Sequence, residues 1–426
     1  MHQINKTSFR ARPGGRALWA IVLTALGMIG HAGAQPLQDP LPDEPATAWP
    51  GQLTGWIATE AQLFTRSATG RRQDHSENVS LAAELEYHHA WDKGRQVFRF
   101  VSFYRHDPHD ERRTHFDMRE LIWTKADDQW ELKAGIGKVF WGVTESQHLV
   151  DIINQTDLIE NVDGEDKLGQ PMVNLSLIGD WGTVGLFVLP GFRERTFPGS
   201  EGRLRTAPPV DTDRPLYESG ARQWHVDYAV RWFQTIGALD IGAYHFFGTS
   251  REPQLVVELD GSGRPSLRPR YDLIHQTGLD AQLTIDNWLW KVEAIARHGQ
   301  GRGFHALVGG FEYTLFGLGG SQADLGLLLE YSFDDRPNNA AGPFQNDLFT
   351  GLRFVANDTQ STEVLAGVTV DLDSGARAWN IEASRRFGSN WKASLEARIF
   401  ADTPSDDPLN VLSQDDSILL ELKLFF

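Results

Sequence analysis

Beyond residue 50 most of the chain alternates between apolar and polar positions with a period of two. Trp391, Ala393, Leu395, Ala397 and Ile399 fall on one face of an extended segment, with Lys392, Ser394, Glu396 and Arg398 on the other. Trp288, Trp290, Val292, Ala294 and Ala296 oppose Lys291, Glu293 and Arg297 in the same way. Trp224, Val226, Tyr228, Val230 and Trp232 oppose His225, Asp227 and Arg231, and Leu81, Ala83, Leu85 and Tyr87 oppose Glu84, Glu86 and His88. Successive side chains of a strand point to opposite faces, so each run has one apolar and one charged face. Soluble sandwiches alternate too, but their strands are usually about five or six residues long. These runs reach about ten residues or more, enough for a tilted strand to cross a bilayer. The pattern predicts an all-β fold, a transmembrane antiparallel up-and-down β-barrel.

Candidate strands are 51–65, 76–91, 95–107, 113–126, 128–140, 171–179, 181–190, 221–234, 236–248, 275–285, 287–299, 303–316, 322–333, 346–357, 361–372, 375–387, 390–402 and 415–426. That gives eighteen, with sixteen the alternative count, because sequence places strand ends only to within about two to four residues. Connections after odd-numbered strands are long, among them 141–170, 191–220, 249–274, 334–345 and 403–414. Those after even-numbered strands are short, such as 92–94, 127–128 and 388–390. Long loops outside and short periplasmic turns are the asymmetry expected of such barrels. Trp130, Trp288 and Trp391 follow short turns and Trp232 precedes one, which places an aromatic girdle at the periplasmic ends. Met118, Glu120 and Ile122 share one parity while Leu121 and Trp123 take the other, so a β-bulge is expected there.

The two ends of the chain carry signals of their own. Lys6, Arg10, Arg12 and Arg16 precede the apolar run 17–29 and the small-residue site Ala32-Gly33-Ala34. This predicts a secretory signal peptide over 1–34, cleaved before Gln35. Residues 35–50 contain five prolines and read as an extended periplasmic leader, leaving 51–426 for the barrel. At the other end Ile418, Leu420, Leu422, Leu424 and Phe426 alternate to the final residue. This resembles the last strand of Gram-negative outer-membrane barrels, which implies an outer-membrane location and recognition by the barrel-assembly machinery.

Composition narrows the function. No Cys is present, which removes thiolate metal sites and thiol nucleophiles. A net charge of −17 argues against nucleic acid as a partner, since phosphate neutralisation needs a basic surface. No catalytic signature of the nucleophile-elbow or zinc-protease type occurs, and no cofactor is implied. Gly135-Ile136-Gly137-Lys138 lacks phosphate-loop spacing and reads better as strand glycines. His106, His109, Asp110 and Glu111 read better as a solvated loop than as a cation site.

A barrel of this size leaves an aqueous channel. By parity its wall carries Lys133, Arg231, Lys291, Glu293, Arg297, Glu382, Arg386, Lys392, Glu396 and Arg398, with Glu330 and Arg353 among others. Either Lys291, Arg297, Arg386, Lys392 and Arg398 form a basic strip guiding an anion, or the interleaved charges pair across strands; interleaving favours pairing. The connection 141–170 holds Leu149, Ile152, Ile153 and Ile159, which fit packing into the barrel mouth as a constriction and packing against neighbouring outer loops equally well. Its candidate residues are Trp141, Glu145, Asp151, Asn154 and Asp157, with Asp151 and Asp157 expected to face the solute path. GKVFWGVTES at 137–146 and DIINQTDL at 151–158 resemble the WG…DxINxxD segment of uncharacterised proteobacterial porin-like barrels. The resemblance implies outer-membrane solute passage, extending to hydrophobic small molecules, with no assigned substrate. The expectation is a porin-like channel for small solutes in contact with outer-membrane lipids. The alternatives are a transporter of hydrophobic compounds and a surface structural or adhesive barrel without a pore. Oligomeric state and solute are not written in the sequence.

Overall fold

The computed structural model describes residues 50–426 apart from 69–72, 74, 260 and 337–344. The signal peptide and all but the last residue of the leader lie outside the described residues.

Eighteen strands form one sheet. They are β1 (Gln52–Phe64), β2 (Glu77–Trp91), β3 (Gln96–His106), β4 (His115–Asp127), β5 (Trp130–Gly137), β6 (Gln170–Gly179), β7 (Gly182–Pro190), β8 (Val226–Ile236) and β9 (Leu239–Thr249). There follow β10 (Leu273–Ile285), β11 (Trp288–Gly299), β12 (Gly301–Leu315), β13 (Asp324–Asp334), β14 (Asn346–Val355), β15 (Glu363–Asp371), β16 (Arg377–Phe387), β17 (Trp391–Ala401) and β18 (Ser417–Phe425). Each pairs antiparallel with the next, and β18 pairs back onto β1 from Phe425 with Trp56 to Ser417 with Phe64. Closure removes the unpaired edge that hydrocarbon would not tolerate. The count of eighteen holds and the sixteen-strand alternative falls. The largest boundary difference is at 221–225, where Arg222–Trp224 form a 3-10 turn, so Trp224 sits outside its expected strand.

Directly opposed residues on antiparallel neighbours share a face. The pairs Lys133–Asn174, Asn174–Phe187, Phe187–Ala229, Ala229–Phe246, Phe246–Gln276, Gln276–Arg297 and Arg297–Phe304 therefore trace one row of inward side chains. From Asn174 onward the row is buried. Ile57, Leu81, Trp290, Leu307, Trp379 and Ile399 point outward and remain exposed, giving an apolar outer wall. The bulge in β4 is present: Val101 opposes Glu120 while Ser102 opposes Met118, leaving Arg119 as the extra residue.

Long and short connections segregate to opposite ends, here called the loop end and the turn end. One loop-end link is a single residue, Gln300, between Gly299 (φ 109°) and Gly301 (φ 73°), backbone angles that a side chain would strain. A small second sheet of Leu216–Tyr217, Gln254–Leu259 and Pro265–Tyr271 stands at the loop end, where sequence suggested only loops.

Candidate functional site

The connection between β5 and β6, residues 138–169, turns into the lumen. Its base is closed by Asn154, whose Oδ1 accepts from the Val139 amide at 2.8 Å and whose Nδ2 donates to the Gly137 and Leu168 carbonyls at 2.8 and 2.9 Å. Asp151 accepts from the Trp141 and Gly142 amides at 2.6 and 3.0 Å. Asp157 is buried and accepts from the Thr196 hydroxyl at 2.6 Å. Neither aspartate lines the open space beside β14–β18. Backbone N–H groups of an irregular buried segment need acceptors, and these carboxylates supply them or tie the segment to its neighbour.

Between these ties the segment buries its apolar side chains. Trp141, Val150, Ile152 and Ile153 join wall residues Met172, Phe187, Tyr244, Phe246, Ile274, Ile295 and Phe304 in one cluster. The Trp141 ring lies 5.7 Å from Phe187 and 4.9 Å from Tyr244, with the Arg231 guanidinium 4.8 Å above it. This fills the lumen along β7–β12.

The segment then crosses the barrel on two fully buried wall glutamates. Glu293 of β11 accepts from the Val143, Thr144 and Val150 amides at 2.7, 3.0 and 3.1 Å and from the Thr144 hydroxyl at 2.7 Å. Glu330 of β13 accepts from the Glu145 and Ser146 amides, each at 2.8 Å, and from the Ser146 hydroxyl at 2.7 Å. Hydrogen bonds to charged groups contribute about 1.5–3 kcal/mol each, so the pair is a strong latch. Glu145 reaches further, to Arg353 of β14 at 2.5 Å and Lys291 at 3.9 Å. On the return, Glu160 meets Arg105 at 2.8 Å and Arg119 at 3.7 Å, and Asp163 meets Arg398 at 2.8 Å. His148 packs over Gly142, where a Cβ would come within 2.4 Å of its ring. Burial opposes its protonation, but Glu165 at 3.1 Å and Glu293 at 3.8 Å outweigh that and push it up to about 10.

Most of the wall charges named from parity pair individually rather than lining up as a basic strip. Lys133 bonds Glu131 at 2.8 Å, and Arg231 holds Asp280 through two bonds of 2.7 and 2.8 Å. Arg297 reaches Gln276 at 2.6 Å and Glu252 at 2.7 Å. Glu396 accepts from Asn161 at 3.2 Å and pairs with Arg398. Arg386 lies 5.3 Å over Phe425. Glu382 and Lys392 face open space.

That space runs along β14–β18 and β1 as two cavities of about 480 and 390 Å³. The larger lies toward the turn end, beside Trp56, Lys392 and Lys423. The smaller lies toward the loop end, beside His148, Phe400 and Leu409. Glu145, Leu365 and Glu382 line both, so the two cavities adjoin there and are together called the lane.

Over the loop end a strap from 191 to 205 crosses from β7 toward β1 and β18. Buried Arg203 pins it, bonding Asp415 at 2.6 Å and the carbonyls of His75 and Gln414 at 3.0 and 2.6 Å. Asp110, one of the residues weighed as a cation ligand, accepts instead from the Gly199 amide at 2.9 Å. Sequence reasoning missed this strap, Arg105, Arg119 and Glu160. It placed Glu293 and Glu330 on the inner wall without their role.

No family model and no curated protein matches the chain. Among solved structures, Escherichia coli Wzi is described as an outer-membrane protein of group 1 capsule assembly and a carbohydrate-binding β-barrel. It shares 11% identity over 88% of this chain and 84% of its own, with a TM-score of 0.50. Pseudomonas aeruginosa OccK11 shares 11% identity over 88% and 96%, with a TM-score of 0.49. A mutant of Rh. blastica porin shares 10% over 88% and 100%, with a TM-score of 0.43. The likeness is one of fold.

Proposed function

We propose that this protein is an outer-membrane channel that passes small hydrophilic solutes by passive diffusion. The observation that carries the reading is the open space along β14–β18 and β1, bordered by Glu363, Glu382, Lys392 and Glu421, beside a lumen whose other side is filled with apolar side chains. Charged walls with several weak contacts let a polar solute enter and leave, which passive conduction requires. The exposed apolar outer wall suits lipid on the outside, and the basic, apolar and small-residue succession of 1–34 suits export. A transporter of hydrophobic compounds would want an empty apolar pocket; on the β7–β12 side the loop's own Trp141, Ile152 and Ile153 occupy that place, whereas Phe349, Phe400, Leu409 and Leu412 beside the smaller cavity favour this second reading. In planar lipid bilayers the folded protein should give discrete current steps. Absence of steps from heat-modifiable, folded barrel would reject the channel and favour a surface barrel without a pore.

Assembly offers a separate check on location. Phe426 is exposed and its backbone exchanges two 3.0 Å hydrogen bonds with Gly55, closing the seam. Phe426→Ser should leave the protein secreted but poorly inserted, because the assembly machinery would lose the terminal aromatic. Normal amounts of folded protein in outer-membrane fractions would count against an outer-membrane barrel of this class.

A further inference from the structure

Positive and negative groups along the lane are held differently. Arg119 lies over Phe103, 3.6 Å from the ring centre, and bonds Glu84 at 2.8 Å. Lys423 sits 4.2 Å over Trp56 and 3.1 Å from Glu421. Arg353 is tied to Glu145 and Arg398 to Asp163. Each of these cations is cancelled at short range by a carboxylate, and two are also drawn against an aromatic face of the wall. Among the lysines and arginines lining the two cavities, Lys392 alone has no carboxylate in ion-pair reach among the described residues.

Three carboxylates lining the lane make no ion pair within 4.0 Å among the described residues, Asp166 feeling Arg119 only at longer range. Glu363 of β15 accepts from the Ser384 hydroxyl at 2.8 Å, and Glu382 of β16 from the Asn380 amide at 2.6 Å. Asp166 faces the larger cavity from the inserted segment. The uncompensated charge of the lane is therefore negative, and it comes from two wall strands and from the segment opposite them.

We infer that the lane is cation-selective, with Glu363, Glu382 and Asp166 as its determinants and small inorganic and organic cations as its favoured solutes. The inference rests on the channel reading. Fixed charges act over roughly 10 Å at 0.1 M salt, so carboxylates flanking a narrow lane overlap in their fields, whereas paired charges fall off faster. Asp151 and Asp157, which sequence alone expects to face the solute path, are used elsewhere by the fold.

The test is the reversal potential of the full-length protein in planar bilayers under a tenfold KCl gradient. The expected potassium-to-chloride permeability ratio is about three or more. Glu363→Gln with Glu382→Gln should bring it most of the way to one, and Lys392→Gln should raise it. Heat modifiability confirms that each variant is folded. Conductance with a ratio of one or below overturns the inference and leaves the channel standing. A cation preference unmoved by the double variant overturns the assignment to these carboxylates. No conductance at all removes the channel reading and this inference with it.

Discussion

On the β7–β12 side of the lumen, the apolar inward positions Phe187, Tyr244, Phe246, Ile274, Ile295 and Phe304 are buried beneath Trp141, Val150, Ile152 and Ile153 of the inserted segment, and charged neighbours such as Glu293 and Arg297 are buried in hydrogen bonds. On the β15–β18 side, inward positions are Glu363, Glu382, Ser384, Lys392, Ser394 and Glu421, and they border open space. Both halves obey the same alternation and share one closed sheet. What differs is the chemistry of the inward parity. A barrel strand that carries apolar side chains on both faces has lipid on one side and needs something apolar on the other. In this chain that partner is the segment after β5. The filled half then positions the segment, and the segment's charged residues form one bank of the open half.

The largest effect should come from removing the partner. Replacing 141–166 with a short Gly/Ser link should raise single-channel conductance roughly twofold or more, because the wide lumen of an eighteen-strand barrel would no longer be half occupied. Conductance equal to that of the parent would mean that the filled half does not limit flow.

A smaller effect should separate the halves by stability. Trp141→Ala removes a buried ring and should cost about 3–5 kcal/mol. Glu330→Ala strands the amides of Glu145 and Ser146 and should cost about 1–3 kcal/mol for each buried group left unpaired. Glu382→Gln in the open half should stay within about 0.5 kcal/mol. Urea unfolding followed by heat modifiability measures all three, and similar losses in both halves would erase the distinction.

The smallest effect is a pH dependence. Burial, with the like charges of Glu160 and Asp163 beside it, pushes Asp166 up to about 6. An acid raised in this way becomes neutral as pH falls through about 6, so the lane then loses one negative charge. Cation preference should decline modestly between about pH 7 and pH 5, and Asp166→Asn should flatten that part of the curve. A preference that rises as pH falls would contradict the placement of Asp166 on the lane.

Much of this was readable in the chain. All eighteen strands lie within a few residues of their expected positions, because a two-residue period persists wherever one face meets lipid. The β4 bulge was visible as a break in parity between Met118 and Leu121. Leu149, Ile152 and Ile153 join the apolar cluster inside the barrel, one of the two placements the sequence left open. What was hidden was partnership. Parity says that Glu293 and Glu330 face the lumen but not that backbone amides from 143–150, far away in sequence, would meet them. Asp151 looked like a lane residue because nothing local shows that Trp141 and Gly142 lack acceptors. One signal was present and unused: Phe246, Ile295 and Phe304 sit on the inward parity, and an apolar stripe there marks where a loop must dock.

The division of the lumen can be measured directly because the protein has no native cysteine. Ser394→Cys places a thiol on the open lane, and Ala306→Cys places one beneath the inserted segment, both with small changes in volume. A charged, water-soluble thiol reagent added to the folded barrel in bilayers or micelles should modify Ser394→Cys rapidly. Ala306→Cys should be protected by at least about tenfold, and that protection should vanish when 141–166 is replaced. Equal rates at the two positions in the intact protein would contradict a lumen that is filled on one side and open on the other.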